Sequence, residues 1–318
     1  MLYTSTRDEK EVFTAARTLA SDFAPDGGLF APFRFPAGSA AEIRSLSELS
    51  FGENVARVLN LFFSAGLTGW DVDFTIGRVP VKLFHMNHRL TVAELWHNPG
   101  GDYAHMEQKL YERIRLSDST RMPTDWAKVA IRTAVLFGVF SLLIKENIVK
   151  MTKPLDLAVS ADDFTLPMAV WYGRKMGLPI GNVACGCGMN SGLWDLLKRG
   201  ECNTGAVPEA LRIGQERLIR ETLGSKAAFA YSQKSEAGRM YMVAEEDLER
   251  LRTGIFAAVV GSNRTRTLSG AVMKSNGYRL SEDAVLAYGA LQDYRSGITE
   301  GRGALILSDT CAPDKSFQ

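Results

Sequence analysis

The chain has 318 residues, of which 46% are hydrophobic and 23% are charged, a composition typical of globular proteins with one large domain or two modest ones. Lysine and arginine together number 37 against 36 for aspartate and glutamate, so the formal net charge is only +1. A chain this close to neutral lacks the basic excess that binds nucleic acid or anionic membranes, and neither partner is expected.

The N-terminal residues, MLYTSTRDEKE, are polar and charged and lack the apolar core of a signal peptide. We therefore expect a cytoplasmic protein. The most apolar stretch, from Val129 to Ile144, contains Arg132 and is short for a bilayer span. It predicts a buried core helix.

The four cysteines, Cys185, Cys187, Cys202 and Cys311, fit a reducing compartment. Cys185 and Cys187 could form half of a metal site, but the sequence has no second Cys/His pair with zinc spacing. Buried free thiols are the favoured interpretation, and no metal is expected.

The first 95 residues predict a small α/β lobe. Apolar residues at helical spacing indicate helices, the second of them interrupted near Gly52, and short apolar runs indicate strands or extended segments. The predicted helices are 9–23 and 47–64, and the extended segments are 29–32, 79–83 and 90–95.

The remaining residues, 96–318, predict a core domain in which helices and strands alternate. The predicted helices are 102–116, 125–145, 166–176, 192–198, 207–224, 241–252 and 281–293, and the strands are 155–159, 180–185 and 304–308. Short buried strands that alternate with helices indicate a parallel sheet with right-handed crossovers. The predicted fold class is α/β.

Several segments resemble motifs of the threonine synthase family, in the family's order along the chain. Residues 23–32, FAPDGGLFAP, are similar to LAPDGGLYVP, and residues 92–99, VAELWHNP, are similar to LELFHGPT. Further matches are TDWAKVA at 124–130 to INWARILAQ, WYGRKMGLPI at 171–180 to GYYAKKMGLPI, YRLSEDAVLAY at 278–288 to YLLDPHTAVAY, and TCAPDKSF at 310–317 to TAHPAKF. The resemblance implies the pyridoxal phosphate (PLP) fold type II, which is similar to tryptophan synthase β.

One portion of the family is absent from this chain. Between the helix at Ala104 and the segment at Trp126, the family carries a further α/β portion with a Ser/Thr-Gly-Asp-Thr-Gly loop. Here only residues 113–123 connect the two, and a linker of this length cannot hold a βαβ unit. The resemblance therefore implies a shortened scaffold with a mostly parallel sheet.

The family converts phosphohomoserine to threonine with PLP bound as a Schiff base to the lysine of HGPTLAFKD. Counted from His97, that lysine corresponds to Ala104, and the next, acidic position corresponds to His105. Alanine cannot form an imine. Lys109 is the fallback Schiff-base residue, although a solvated lysine paired with Glu112 or Glu107 is the favoured interpretation.

The family's phosphate loop, SGNFGN, corresponds here to SADDFTL at 160–166, where both glycines are missing. Asp162 and Asp163 would repel a phosphate dianion, whereas as helix N-cap residues they would satisfy the free amides. The segment similar to ATNEND is GCGMNS at 186–191, which keeps only Asn190. Ala312 replaces the terminal histidine.

Together these replacements predict that PLP and its chemistry are lost, leaving a pseudoenzyme or a remodelled pocket for another small molecule. Histidines and carboxylates suit general acid–base chemistry, although carboxylate caps and satisfied surface histidines are the favoured interpretation. The pocket candidates are His97, Asp102, Tyr103, His105, Asp162, Asp163, Cys187 and Asn190.

Two alternatives stay open. In the first, a PLP-dependent threonine synthase or lyase uses Lys109 and holds an anion with the polar residues 263–270, which we expect to form a loop. In the second, the chain is a non-catalytic subunit, and a homodimer or heteromer shields its apolar surface, including the helix at 129–144.

Overall fold

A computed structural model describes residues 1–115, 122–162, 164–188, 192–296, 298 and 302–312. The N-terminal third consists of short strands and helices. They are β1 (Leu2–Ser5), β2 (Phe13–Thr14), α1 (Ala15–Ala20), β3 (Phe30–Pro32), α2 (Ala40–Arg44), a 3-10 turn (Ser45–Glu48), α3 (Phe51–Phe63), α4 (Gly69–Ile76), β4 (Lys82–Asn87) and β5 (Leu90–Glu94).

The rest of the described chain alternates helices with strands. The elements are α5 (Tyr103–Arg115), α6 (Asp125–Lys145), β6 (Leu155–Ser160), α7 (Thr165–Lys175), β7 (Ile180–Cys187), α8 (Gly192–Arg199), β8 (Glu201–Asn203), α9 (Glu209–Leu223), α10 (Ser225–Glu236), β9 (Met240–Met242), α11 (Glu245–Arg252), β10 (Ile255–Val259), α12 (Ser262–Asn276), α13 (Glu282–Arg295) and β11 (Ala304–Ser308).

The central sheet has the strand order β10-β7-β6-β11-β5-β4. All neighbouring pairs are parallel except β4 with β5, which form an antiparallel hairpin at one edge. The prediction of an α/β fold with a mostly parallel sheet is therefore confirmed. Strands β4 and β5 precede residue 95 and pair in the same sheet as the later strands, while the division of the chain into 1–95 and 96–318 stays a prediction.

Helix α6 is the centre of the hydrophobic core. By length and composition it could cross a membrane, but most of it is buried inside the protein, as the prediction of a core helix requires. A Cβ added at Gly138 of α6 would lie 2.6 Å from Cε2 of Phe51, so this glycine lets α3 approach closely. Because the chain's own elements cover α6, this helix does not require a partner subunit to shield it.

Local capping sets several helix boundaries. Ser50 accepts a hydrogen bond from the Glu53 N–H, and the Glu53 carboxylate accepts one from the Ser50 N–H, which forms a capping box at the start of α3. The interruption expected near Gly52 therefore lies just before it, between the 3-10 turn and α3. Thr68 and Asp71 form the same arrangement at α4.

Three sequence predictions of local structure were wrong. The predicted helix at 9–23 is shorter, because residues 13–14 pair with β1 before α1 begins. The predicted helix at 241–252 begins as strand β9, which pairs with β8. The predicted polar loop at 263–270 lies inside the helix α12, which buries only Val272 and so shows no apolar periodicity.

Candidate functional site

The carboxyl ends of four neighbouring parallel strands carry polar residues. These are Glu94 on β5, Ser308 on β11, Ser160 on β6 and Cys187 on β7. Because the strands are parallel, their carboxyl ends meet at one edge of the sheet, where ligands of open α/β folds bind. The candidate site therefore lies at this edge.

Glu94 is the buried centre of one half of the site. One of its carboxylate oxygens, Oε2, lies 2.6 Å from Nε2 of His97, and the other, Oε1, accepts a 2.7 Å hydrogen bond from the Tyr278 hydroxyl. The Trp96 ring stacks on the His97 ring at a centroid distance of 4.0 Å. Burial and the bond to Glu94 raise the pKa of Tyr278, so its phenol stays protonated and donates. The arrangement holds the His97 ring in a fixed orientation.

The turn after His97 leads directly into α5. Asn98 accepts a hydrogen bond from the Gly100 N–H at 3.0 Å, and Asp102 accepts one from the His105 N–H at 2.5 Å. Asp102 thus acts as a helix cap. The His105 ring lies against Gly100, where an added Cβ would come within 2.1 Å of its Cγ.

Position 104 and the fallback lysine lie in the first two turns of α5. Ala104 is exposed. Lys109 lies one and a half turns further on, and its Nζ donates a 2.8 Å hydrogen bond to Glu112, which lowers the pKa of that carboxyl. Glu107 is turned the other way and binds Arg132. The favoured interpretation of Lys109 as a helix-face lysine agrees with this pairing to Glu112.

A second polar network connects α5, α6 and the segment that follows β11. Arg132 Nε donates to Glu107 at 2.9 Å, Arg132 Nη1 lies 3.5 Å from an Asp309 carboxylate oxygen, and the guanidinium stacks over the Tyr103 ring at 4.9 Å. Asp283 accepts a 2.9 Å bond from the Asp309 N–H. Burial and the neighbouring Asp283 raise the pKa of Asp309 to about 7, although Arg132 opposes the shift.

Sequence reasoning missed this second network. The one available signal was Arg132, a charged residue inside an apolar helix, since such a residue is seldom buried without a partner. Nothing local marks Asp283 or Asp309 as its companions. The network therefore depends on contacts between segments far apart in sequence.

The other predicted pocket residues lie at the ends of β6 and β7. The Asp162 carboxylate accepts a hydrogen bond from the Gly188 N–H at 3.2 Å, and its own N–H donates to Ser160 Oγ at 3.3 Å. The prediction that Asp162 caps the next helix was wrong, because the N-cap of α7 is Phe164 and has no side-chain cap bond. Asp163 and Asn190 lie outside the described residues.

Cys187 is buried, and burial raises the pKa of its thiol to about 12. A thiol with so high a pKa is protonated at neutral pH and is a poor nucleophile. Within the described part of the chain, no group of three or more His, Cys, Asp or Glu side chains could hold a metal ion. The residues present support hydrogen bonding and proton exchange rather than thiol or metal chemistry.

The residues do not fit the PLP site that the family resemblance implies. Ala104 supplies no amine for a Schiff base, and the nearest lysine of its helix is engaged by Glu112. The Gly188 amide, at the end of the strand next to the phosphate-loop position, is already bound by the Asp162 carboxylate. A phosphate group there would meet a carboxylate in place of a free N–H donor.

Residues 2–76 match the family model described as the threonine synthase N terminus. Among solved structures, the PLP-bound threonine synthase from Brucella melitensis is similar, with a TM-score of 0.82 and 17% identity over 99% of this chain and 89% of that one. The threonine synthase from yeast is similar with a TM-score of 0.77 and 15% identity, over 97% of this chain and 87% of that one. The threonine synthase from Escherichia coli is similar with a TM-score of 0.64 and 16% identity, over 98% of this chain and 88% of that one.

No curated protein matches the chain. The identities to the solved structures are low, so these similarities establish the fold, and the family model covers the N-terminal region. Residues 2–76 therefore match the threonine synthase N-terminal model, and the chain as a whole has the fold of these solved threonine synthase structures.

Proposed function

We propose that this chain is a threonine synthase-like pseudoenzyme, which has lost PLP-dependent β-replacement and does not bind PLP as a Schiff base. The observation that carries the proposal is the composition of the first two turns of α5. Residue 104 offers only a methyl group, and Lys109 is ion-paired with Glu112. The PLP-bound neighbour from Brucella melitensis has a similar fold, so the proposed loss is argued from the residues at these positions.

The polar side chains at the sheet edge support the same proposal, because they satisfy one another. Both carboxylate oxygens of Glu94 accept hydrogen bonds, and Asp283 accepts bonds from Ser281 and from the Asp309 N–H. Groups bonded in this way are pre-organised as a structural network. Side chains that satisfy one another in this way leave fewer free donors and acceptors for a cofactor at this edge.

The test is an absorbance spectrum with equimolar PLP, followed by borohydride reduction and intact-mass measurement. We expect no internal aldimine band and no reduced adduct in the wild-type protein. Ala104→Lys restores an amine at the family position and is the matched variant that should gain a reducible adduct. A stoichiometric wild-type adduct mapped to Lys109 would overturn the proposal and establish the PLP-dependent alternative.

A second candidate is acid–base chemistry on a different small molecule at the same edge. The specific observation in its favour is Asp309, whose pKa of about 7 allows it to give or take a proton near neutral pH. A small-molecule screen by thermal shift, with Asp309→Asn as the comparison, tests this candidate. A ligand that stabilises the wild type and loses its effect in Asp309→Asn would support it.

We propose a cytoplasmic location, which the four free thiols support. We also keep the proposal of a homodimer or heteromer. Its support is the stacked pair Trp70 and Phe74 on α4, whose side chains are 67% and 74% exposed. Light scattering tests it, since a monomeric mass at micromolar concentration would exclude a stable homodimer.

A further inference from the structure

A groove of about 640 Å³ lies between one face of α12 and the segment 279–285 that leads into α13. Its α12 wall carries residues at helical spacing, including Ser262, Arg266 and Lys274. Helix α12 begins just after β10 ends, so the groove opens at the same carboxyl edge of the sheet as the site described above. Its volume is in the range of small-molecule sites.

The groove has an excess of positive charge. Arg266 and Lys274 on one wall and Arg279 on the other face a single carboxylate, Glu282. Neither Arg266 nor Lys274 has an ion-pair partner among the residues that the structure describes. Arg264, elsewhere on α12, differs, because both of its terminal nitrogens bond Asp293 at 2.6 Å. The charges of Arg266 and Lys274 are therefore left for another anion to neutralise.

The surface between these cations suits a ligand that is only partly polar. Met273, Leu280 and Val285 supply apolar surface, and Thr265 and Ser269 supply hydroxyls. Gly270 lies in the middle of the α12 wall, where an added Cβ would meet nothing within 4 Å. A glycine inside a helix costs about 1 kcal/mol relative to alanine, and at this position it places no side chain in the groove.

We propose that this groove binds a small anionic metabolite, with a phosphate monoester or carboxylate group held by Arg266, Lys274 and Arg279. Guanidinium and ammonium groups on two walls give charge-assisted hydrogen bonds to such a group. At the Arg266 end of the groove, the first turn of α12 adds the positive end of a helix dipole and contains no acidic residue. The inference does not rest on the proposed loss of PLP chemistry, because it involves neither Ala104 nor Lys109.

Isothermal titration with inorganic phosphate and with 3-phosphoglycerate tests the proposal. We expect binding of at least one probe, weakened about tenfold by Arg266→Ala and by Lys274→Ala, as loss of one charge-assisted contact requires. Lys226→Ala, an exposed lysine on α10 away from the groove, is the control that should leave affinity unchanged. Gly270→Leu should abolish binding while keeping or raising the melting temperature, since leucine favours the helix.

Absence of binding by both probes at millimolar concentration overturns the proposal. So does equal weakening by Lys226→Ala, which would indicate non-specific attraction, or full affinity in Gly270→Leu, which would place the probes elsewhere. Because neither probe forms an imine, these outcomes are independent of the aldimine measurement that tests the proposed function.

Discussion

The Asp162 carboxylate accepts a 3.2 Å hydrogen bond from the backbone N–H of Gly188, across 26 residues of sequence. This hydrogen bond joins the ends of β6 and β7. The family resemblance places a phosphate loop at residues 160–166, which include Asp162. A carboxylate in this position both occupies a backbone donor and repels an incoming phosphate.

Replacing Asp162 tests whether the hydrogen bond or the negative charge matters to stability. Asp162→Asn keeps an acceptor oxygen, so we expect its free energy of unfolding to stay within about 0.5 kcal/mol of the wild type, whereas Asp162→Ala should lose about 0.5–1 kcal/mol. Urea denaturation of the three proteins measures the difference. Equal losses in both variants would show that the charge, and not the hydrogen bond, provides the stabilisation.

The Tyr278 hydroxyl should stabilise the fold through Glu94. Tyr278→Phe removes the donor to Glu94 Oε1 but keeps the stacking on Phe84, whose ring centroid lies 4.1 Å away. A buried hydrogen bond to a charged group contributes about 1.5–3 kcal/mol, and we expect a loss of this size in urea denaturation. Tyr288→Phe, which removes a hydroxyl with no hydrogen bond to the described residues, should change stability by less than about 0.5 kcal/mol.

The sequence was most informative where a residue type alone decides the chemistry. Ala104 cannot form an imine in any structure, and short buried strands between helices predict a parallel sheet. Contacts between distant segments were not predictable, as with Asp162 and Gly188 or Arg132 and Asp309. Helix α12 was predicted as a loop because it is mostly exposed, so the apolar periodicity that marks a packed helix is missing.

Removing only the cation of the ion pair between Arg132 and Glu107 should lower the free energy of unfolding more than neutralising both partners. Their side chains are only 9% and 7% exposed. Arg132→Met leaves Glu107 and Asp309 without this cation in a buried region, and we expect a loss of about 3–5 kcal/mol. Adding Glu107→Gln should restore part of that loss, because it removes one of the buried negative charges.

Urea denaturation of both single variants and the double variant gives the coupling energy between Arg132 and Glu107. Strictly additive losses would mean that the two side chains act independently, contrary to the 2.9 Å hydrogen bond between them.

Asp309 should make stability depend on pH near neutrality. Burial and Asp283 raise its folded-state pKa from 3.8 to about 7, against the opposing charge of Arg132. Between about pH 4 and about pH 7 the folded state therefore binds more protons than the unfolded state. The free energy of unfolding contributed by Asp309 is fully present below this window and is lost as the pH rises through it, by at most about 4 kcal/mol.

Asp309→Asn replaces the carboxyl by a neutral group of the same shape, so it should keep the low-pH stability and remove this slope. Urea denaturation at about pH 5 and about pH 8 measures how the free energy of unfolding depends on pH. The control is Asp8→Asn, an exposed position, which should retain the wild-type dependence. Because the amide cannot ionise, Asp309→Asn should exceed the wild type in stability at both pH values, and by a clearly larger margin at the higher one, where the wild type has lost the whole contribution. Parallel pH profiles for Asp309→Asn and the wild type would assign the neutral-range titration to another group.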